Sequence, residues 1–299
     1  MTTFLSQILN GLQPGSIYAL VALGYSMVYG IISLLNFAHG DIIMVGAYTT
    51  WFVMTSLMTS SVPLWIIVTI AVVLAILACT VLGFGIEKVA YAPLRSAPRL
   101  SLLITAIGVS YFLENFAQMQ FGAEAKDFTK IFHIGSFDIG GVSVSWTTVI
   151  TVLVSLGSMI VLTIFVKKTK MGKAMRAVSE NVGTAQLMGI NPNKTISITF
   201  AIGSALAGIG SVLYCCAYPQ AKPMMGSMLG LKAFVAAVLG GIGSIPGAMI
   251  GGFTIGLAET LVSSVGLSVW KDAVVFAILI AVLLIKPAGI FGKVKIEKV

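Results

Sequence analysis

Long apolar runs separated by short polar breaks fill almost the whole chain. A transmembrane helix needs about 20 mostly apolar residues to cross the hydrocarbon core, and the pattern predicts about nine such segments. Their approximate bounds are 16–35, 42–58, 64–86, 100–121, 146–166, 196–217, 228–245, 247–266 and 271–286. The chain is therefore predicted to be all-α, a polytopic transmembrane helical bundle of about eight or nine membrane segments.

Two of these segments are weak as complete crossings. The stretch 228–245 contains Lys232 and a run of glycines, and a Pro-Gly pair separates it from the next segment by almost nothing. The stretch 42–58 is short and directly follows a polar segment. Irregular backbone is tolerated at membrane depth where protein or a cavity surrounds it. We therefore expect one or more segments to be broken or re-entrant.

Composition agrees with a membrane protein. Of the 299 residues, 58% are hydrophobic and only 9% are charged, whereas an ordinary soluble domain carries about 25% charged residues. Residues 1–299 are therefore interpreted as a single transmembrane domain. The net charge is +8, but the basic residues fall in the breaks between apolar segments, so they indicate topology and contact with lipid. No nucleic-acid partner is expected.

Lysine and arginine concentrate in three connections, 87–99, 167–194 and the tail from Lys286 onward. The connection 122–145 carries few, and acidic residues offset them. Because short cytoplasmic loops of membrane proteins are enriched in Lys and Arg, the first three are predicted to be cytoplasmic. The C-terminus is then cytoplasmic, and nine crossings would place the N-terminus outside.

The longest basic connection, 167–194, carries a short amphipathic element with the sequence MGKAMRAVSENVGTAQLMGI. Arg176 and Glu180 are spaced as an i,i+4 ion pair, and Gly189 followed by Pro192 is a helix-stop signal. Two interpretations stay open. The element either lies on anionic headgroups, or it is a docking element for a cytoplasmic partner.

Three polar side chains stand close together between two apolar runs: Asn36, His39 and Asp41. Polar groups at membrane depth usually face a cavity or one another, which makes these three candidates for a translocation path. The alternative is an ordinary interfacial loop in which Asp41 caps the following helix. If Gly40 breaks the helical path of the chain, a helix N-terminus would point into the pore. The positive end of that helix would favour a substrate carboxylate. No metal site is predicted at His39, since the second histidine, His133, lies in an outer connection.

The stretch from Leu239 to Glu259 is rich in glycine. Its small-xxx-small repeats are interpreted as close packing between helices. The turn containing Gly241 and Gly243 is interpreted as a gate or a substrate-contacting turn. Lys232 and Glu259 are isolated charges in adjacent apolar segments. They are expected to approach each other or to line water.

Four further polar positions are predicted to be interfacial. Glu114 and Asn115, towards the outer end of the fourth segment, are expected to reach the headgroups in preference to lining a pore. The pair Lys271 and Asp272 is expected to anchor the start of the last helix at the interface.

Three blocks carry a resemblance to a known family. The run GSIYALVALGYSMVYGIISLLNFAHGDIIMVGAY, the loop wording GKAMRAVSEN…AQLMGIN and the run LGGIGSIPGAMIGGFTIGLAE resemble the branched-chain amino acid ABC transporter permease family. Ala185-x-x-x-Gly189 is similar to the core of the coupling loop of such importers. The chain departs from that loop's usual pattern, because Glu180 is not adjacent to an Ala-Ala pair.

The resemblance implies a non-catalytic permease subunit of an ATP-driven importer for branched-chain or related neutral amino acids, in a bacterial inner membrane. No phosphate-binding loop of the G-x-x-x-x-G-K-[ST] type occurs in the sequence, so ATP and Mg would be used by separate ATPase chains, and this chain itself is expected to bind no cofactor. The implied partners are a second homologous permease, two ATP-binding subunits and an extracytoplasmic substrate-binding protein. A secondary transporter or channel for a small polar solute such as urea or an amide is the alternative.

Two sets of residues follow from these interpretations. The expected translocation path comprises Asn36, His39, Asp41, Gly241, Gly243 and Glu259. The expected ATPase-coupling positions are Arg176, Glu180, Ala185 and Gly189, within the loop 167–194.

Overall fold

The computed structural model describes residues 2–32, 34–58, 61–95, 97–128, 135–139 and 142–292. Its α-helices are α1 Thr2–Ile32, α2 His39–Leu57, α3 Leu64–Ile86, α4 Arg99–Phe121, α5 Trp146–Lys168, α6 Lys170–Glu180, α7 Val182–Leu187, α8 Pro192–Ala217, α9 Met225–Gly240, α10 Ile245–Ser264 and α11 Lys271–Ile285. Four short strands accompany them: β1 Lys126–Asp127, β2 Ser136–Ile139, β3 Val142–Ser145 and β4 Gln220–Ala221.

Seven helices within the described ranges are long and apolar enough to cross a membrane. They are α1, α3, α4, α5, α8, α10 and α11, the last together with the 3₁₀ turn Ser268–Trp270 that precedes it, so that this span is Ser268–Ile285. The two segments that the sequence marked as weak are α2, with 19 residues, and α9, with 16. Both lie largely inside the bundle, so neighbouring helices cover their polar positions. The predicted polytopic helical bundle is confirmed.

The helix α9 is continuous. At about 1.5 Å per residue its 16 residues span about 24 Å, less than the roughly 30 Å of a hydrocarbon core. The expected irregularity comes after it, where Gly241 and Gly243 adopt φ of 97° and 91°. Only glycine enters that region readily, so the break lies in the turn between α9 and α10.

The helix α1 begins at Thr2, well before the predicted start at residue 16. Polar Asn10 and Gln13 and the proline at position 14 interrupt the apolar pattern of this part of the helix. In the structure Asn10 and Gln13 line a cavity at one end of the bundle, and Gly11 and Gly15 pack against α10.

Glycines set the distance between the central helices. On one side of α10, Gly252 lies against Ala19 of α1 so closely that a methyl group would overlap its backbone, and Gly256 meets Gly15 in the same way. On its other side, Gly247 and Gly251 lie against carbonyl groups of α9. The predicted small-xxx-small packing is confirmed, and it joins α10 to two helices at once.

The bundle has two opposite ends that carry different segments. The hairpin of β2 and β3 precedes α5, and α6 and α7 follow it, so the hairpin and the α6–α7 segment lie at opposite ends. We call these ends the hairpin face and the loop face. The C-terminal end of α1 lines a cavity together with α7, which puts it at the loop face.

The connection 122–145 was predicted only as a loop, but it contains β1, which pairs with β4, and the β2–β3 hairpin. The predicted orientation depends partly on Lys130 of this connection and on lysines 293, 295 and 298 of the tail. These residues and His133 lie outside the described residues.

Candidate functional site

The segment between α1 and α2 carries a group of buried polar side chains. Asn36 and His39 are 2% exposed and Asp41 is fully buried. Tyr25 of α1 lies against them, with its ring centroid 4.9 Å from that of His39 in an edge-on arrangement. We refer to Tyr25, Asn36, His39 and Asp41 as the polar cluster. The structure therefore brings together three of the six residues predicted for the path.

The N-terminus of α2 does not use Asp41 as its cap. The helix begins at His39, and the cap position is Ala38, which offers no side-chain hydrogen bond. Asp41 instead reaches α4, where the Ser110 hydroxyl donates to its Oδ2. The alternative of an interfacial capping residue is therefore wrong, and Asp41 is a buried side chain that joins two helices.

Neighbouring residues shape the space around Asn36 and His39. The Tyr91 hydroxyl donates to Asn36 Oδ1 at 2.7 Å. The His39 imidazole lies directly over Gly24, where any side chain would overlap its Nε2. Close packing on both sides holds the polar cluster in one arrangement.

Several polar atoms of this region have no partner. Among the described residues, eight buried side-chain N or O atoms lack a hydrogen bond, and five of them belong to residues 25–41. They are Tyr25 Oη, Ser26 Oγ, Asn36 Nδ2, His39 Nε2 and Asp41 Oδ1. An unpartnered buried polar group costs about 1–3 kcal/mol, so their concentration in one place points to a site that is completed by something it binds.

Glu114 is part of the same region. It is 4% exposed, and its Oε1 accepts a hydrogen bond from the Ser227 hydroxyl of α9. The expectation that Glu114 reaches the headgroups is therefore wrong, because its face of α4 is turned to α2 and its side chain is bonded to α9. Asn115, the next residue, is exposed, and its amide donates to Tyr111 O, as an outward-facing position allows.

Aromatic side chains border the polar cluster. The ring of Phe37 lies 6.0 Å from that of Phe234 on α9, and Phe234 lies 6.4 Å from Tyr25. Phe37 and Phe234 are only partly buried. An apolar wall therefore adjoins the unpartnered polar atoms.

Glu259 lies in a separate ion network near the hairpin face. Lys232 Nζ is 2.7 Å from Glu259 Oε1 and 2.7 Å from Asp272 Oδ1, and Lys271 approaches Glu259 at 3.6 Å. The Tyr18 hydroxyl donates to Glu259 Oε2 at 2.6 Å. The predicted approach of Lys232 and Glu259 is confirmed. Lys271 and Asp272, expected as an interfacial anchor, also tie α11 to α9 and α10.

Two cavities flank this network, with volumes of about 330 Å³ on the side of Glu259 and about 250 Å³ on the side of Lys232. In contrast to the polar cluster, the Lys232 and Glu259 side chains have partners for their charges. The structure does not bring Glu259 together with Asn36, His39 and Asp41.

Gly241 and Gly243 lie at the other end of α9, in its turn to α10. Gly243 packs against Gly30 near the end of α1. The segment 286–292 covers the turn, since the Ile290 and Phe291 amides donate to Leu239 O at 2.9 Å and to Gly240 O at 3.1 Å. About 21 Å of helix separates Gly240 from Gly226, which contacts Asp41, so these glycines are remote from the carboxylate.

The predicted amphipathic element on the loop face is two helices. Thr169 caps α6 through Gly172 N, and Asn181 both ends α6 and caps α7 through Thr184 N. Asn181 is extended, with φ of −157°. A side-chain cap in mid-element is what divides the expected single helix.

The end of α7 explains the Ala185-x-x-x-Gly189 spacing. Gly189 has φ of 81°, its amide donates to Gln186 O, and the Ile190 amide donates to Ala185 O. This is a Schellman motif, which needs glycine at that position. Ala185 is buried, whereas Leu187 and Met188 are 89% and 78% exposed. The motif therefore presents two apolar side chains to solvent.

The predicted pair of Arg176 and Glu180 is not formed. Both side chains are exposed, and the Arg176 guanidinium donates to Lys167 O at 3.3 Å. The i,i+4 spacing allowed the pair, but the end of α5 offers the arginine a backbone acceptor.

A cavity of about 830 Å³ lies between the α7–α8 connection and the ends of α1 and α3. Glu87 at its edge is fully buried and accepts hydrogen bonds from Arg95 and from Ser197, the latter at 2.6 Å. Sequence reasoning missed this contact, and it also missed Tyr25, Ser110 and Ser227. Ser110 and Glu114 stand one turn apart on an apolar helix, a spacing that would have indicated a polar face.

Comparison with known proteins gives a consistent result. The family model described as branched-chain amino acid transport system, permease component, matches residues 7–283. The high-affinity branched-chain amino acid transport system permease protein LivH of Escherichia coli is 45% identical over 302 residues, covering 99% of this chain and 98% of that protein. LivH of Salmonella typhimurium and BraD of Pseudomonas aeruginosa, which bear the same description, are each 43% identical with the same coverage.

Proposed function

This chain belongs to the family of branched-chain amino acid transport system permease components, and on that basis we propose that it is the membrane-spanning, non-catalytic permease subunit of an ATP-driven ABC importer. It forms the translocation path for branched-chain or related neutral amino acids. The observation that carries the proposal is the 43–45% identity to permease proteins of such systems over 99% of the chain.

The polar cluster is the part of the path where substrate is held. A zwitterionic aliphatic amino acid needs an acceptor for its ammonium group, a donor for its carboxylate and an apolar surface for its side chain. Asp41 Oδ1 and Asn36 Nδ2 are unpartnered and have the first two properties, His39 Nε2 adds a third polar contact, and the Phe37–Phe234 wall has the last.

The remaining predicted path residues lie at the two ends. Glu259 stands by the cavities near the hairpin face, where substrate enters. The Gly241 and Gly243 turn stands at the loop face, where a change in the turn opens the exit. The two ends alternate in access as one bundle shifts between two packings.

The loop 167–194 couples this shift to an ATPase. The exposed Leu187 and Met188 dock on the ATPase, and Ala185 and Gly189 hold them in place through the end of α7. Arg176 and Glu180 contribute charged contacts at the rim. The partner ATPase subunits use ATP and Mg.

The complete transporter comprises this chain, a second homologous permease, two ATP-binding subunits and an extracytoplasmic binding protein, with the permeases in contact with membrane lipid. It resides in the bacterial inner membrane as a multi-pass protein. The loop face and the C-terminus are on the cytoplasmic side, in agreement with the basic residues of 167–194.

The proposal is tested by reconstitution. The chain is co-expressed with its neighbouring transporter genes, and the purified assembly is placed in liposomes with ATP inside and the leucine-loaded binding protein outside. Leucine uptake that requires ATP and the binding protein is expected. Uptake by this chain alone without ATP would instead favour a secondary transporter or channel.

A further inference from the structure

Three helices meet around two carboxyl groups, of which the proposed path uses only that of Asp41. Asp41 of α2 accepts from Ser110 of α4, and Glu114 of α4 accepts from Ser227 of α9. Asp41 Oδ1 lies against Gly226 and Glu114 is bonded to the next residue, Ser227, so the two carboxyl groups approach the same turn of α9. We call Asp41 and Glu114 the carboxyl pair.

The carboxyl pair lacks a basic partner. Within the described ranges, the salt bridges of the chain join other residues, and neither Asp41 nor Glu114 takes part in one. Carboxylates at membrane depth are costly and are normally paired with a positive charge. The Lys232–Glu259 pair shows that this bundle follows that rule elsewhere.

Unpartnered oxygens face the same place. Asp41 Oδ1 has no hydrogen-bond partner in a fully buried residue, and neither does the hydroxyl of Tyr25, which is 3% exposed. Both lie against one glycine face of α9: Asp41 Oδ1 is 2.7 Å from where a Cβ of Gly226 would stand, and Tyr25 Oη is 3.1 Å from that of Gly230. Gly226 and Gly230 are one turn apart, so acceptor oxygens converge on one small region.

The negative charge of the carboxyl pair determines which kind of ligand fits this region. Asp41 lies in the first turn of α2, where the positive end of the helix dipole compensates about half a charge. The second carboxylate still needs a compensating charge, and oxygen acceptors on three sides suit a compact cation.

We propose that the carboxyl pair binds one compact monovalent cation during transport. The cation is either the ammonium group of the transported amino acid or an alkali ion. The first source rests on the proposed function, whereas the second does not.

The test uses the purified complex of permeases and ATPases without the binding protein, so that binding reports on the permease. Radiolabelled leucine is bound, and two competitors are compared: leucinol, which has the ammonium group but no carboxylate, and isocaproate, which has the carboxylate but no ammonium group. The substitution Glu114→Gln keeps an acceptor for Ser227 and removes one charge. Competition by leucinol is expected to weaken at least about tenfold, as for the loss of a charged hydrogen bond, while competition by isocaproate is retained.

A second arm identifies an alkali ion. Leucine binding and ²²Na⁺ binding by the wild-type complex are measured in sodium, potassium and choline chloride at equal ionic strength. If an alkali ion fills the site, sodium or potassium dependence is present in wild type and is lost in Glu114→Gln, with leucinol competition unchanged. A third outcome is that the wild-type complex neither binds nor transports leucine, while Glu114→Gln abolishes ²²Na⁺ binding. That result would contradict the proposed function and still support the cation site.

Asp41→Asn provides an independent variant should Glu114→Gln fail to assemble. The matched controls are Glu124→Gln and Asp138→Asn, because both side chains are exposed in the connection on the hairpin face. Unchanged leucinol competition and unchanged ion dependence in assembled Glu114→Gln and Asp41→Asn would overturn the proposal.

Discussion

Buried polar residues in this bundle fall into two classes, according to whether their polar atoms have partners. Lys232 and Glu259 hold each other and have further contacts with Asp272 and Tyr18. The polar cluster is equally buried but leaves an atom of each residue unpartnered. The first arrangement stabilises the fold, and the second is available to a solute.

Removing Lys232 should destabilise the protein strongly. Lys232→Met would leave the carboxylates of Glu259 and Asp272 without their closest cation, and both Lys232 and Glu259 side chains are 9% exposed. Breaking a buried pair by removing one partner costs about 3–5 kcal/mol. Thermal unfolding in detergent should show a clearly lower midpoint for Lys232→Met than for wild type.

Two comparisons sharpen this measurement. Lys271→Met removes a charge that is 43% exposed and 3.6 Å from Glu259, and should cost no more than about 1 kcal/mol. The double variant Lys232→Met, Glu259→Met should recover part of the loss, because no unpaired Glu259 remains. Strictly additive effects would show that the pair is not coupled.

At the scale of elements, the sequence predicted the existence of nearly every helix and several of their ends. The apolar run 64–86 is the helix α3 residue for residue. The late predicted start of α1 was a failure caused by contacts with residues that are distant in sequence. Asn10 and Gln13 broke the apolar pattern of α1 because they line a cavity, and no local pattern reveals such a cavity.

Close approach of α2 and α9 depends on Gly40. A methyl group there would overlap the carbonyl oxygen of Gly226, and backbone atoms cannot move aside cheaply. Gly40→Ala should therefore force the two helices apart, weaken leucine uptake several-fold and lower the unfolding midpoint. The measurements are proteoliposome uptake and thermal unfolding of the same preparation.

Gly108→Ala is the matched control. Gly108 also lies inside a helix, but nothing stands within 4 Å of its Cβ position. Alanine there should be neutral or stabilise by up to about 1 kcal/mol, through helix propensity alone. Equal effects of the two substitutions would remove the steric explanation for Gly40.

A substitution at Gly189 tests the coupling loop without disturbing the packing of side chains. Its φ is 81° and no atom lies within 4 Å of its Cβ position, so Gly189→Val acts through the backbone only. A β-branched residue disfavours this conformation, so the end of α7 should rearrange and displace Leu187 and Met188. Transport and stimulation of ATP hydrolysis by the loaded binding protein should fall at least tenfold with the unfolding midpoint nearly unchanged.

Gly183→Ala serves as the control within the same helix. Gly183 has no positive φ, and its nearest neighbour, Asn181 Oδ1, would be at an ordinary 3.4 Å. Alanine there should leave ATPase stimulation near wild type. If Gly189→Val kept both transport and ATPase binding, the element would be a headgroup-bound connector.

For the whole molecule, the number of segments was predictable but their contacts were not. Hydropathy indicates the number of membrane helices because the thickness of the bilayer fixes the length of each apolar segment. It says nothing of which helix meets which, so the convergence of α2, α4 and α9 on the carboxyl pair was not foreseen, and Glu114 was assigned to the surface. Asn36, His39 and Asp41 were grouped from the sequence because they are close together along the chain, whereas Tyr25 joins them, and Ser227 joins Glu114, only in three dimensions.

The two faces of the bundle make a prediction about topology. Because the membrane-spanning helix α5 lies between them in sequence, the hairpin and α7 lie on opposite sides of the membrane, and coupling to a cytoplasmic ATPase requires α7 inside. In intact cells a membrane-impermeant maleimide should therefore label Asp138→Cys, which is exposed in the hairpin, but should label Thr184→Cys, exposed in α7, only after permeabilisation. The parent chain sets the background, which should be low because Cys79 and Cys215 are buried and Cys216 is half-buried. Labelling of Thr184→Cys from outside would place the loop face away from any cytoplasmic ATPase, and the coupling role of α7 would have to be abandoned.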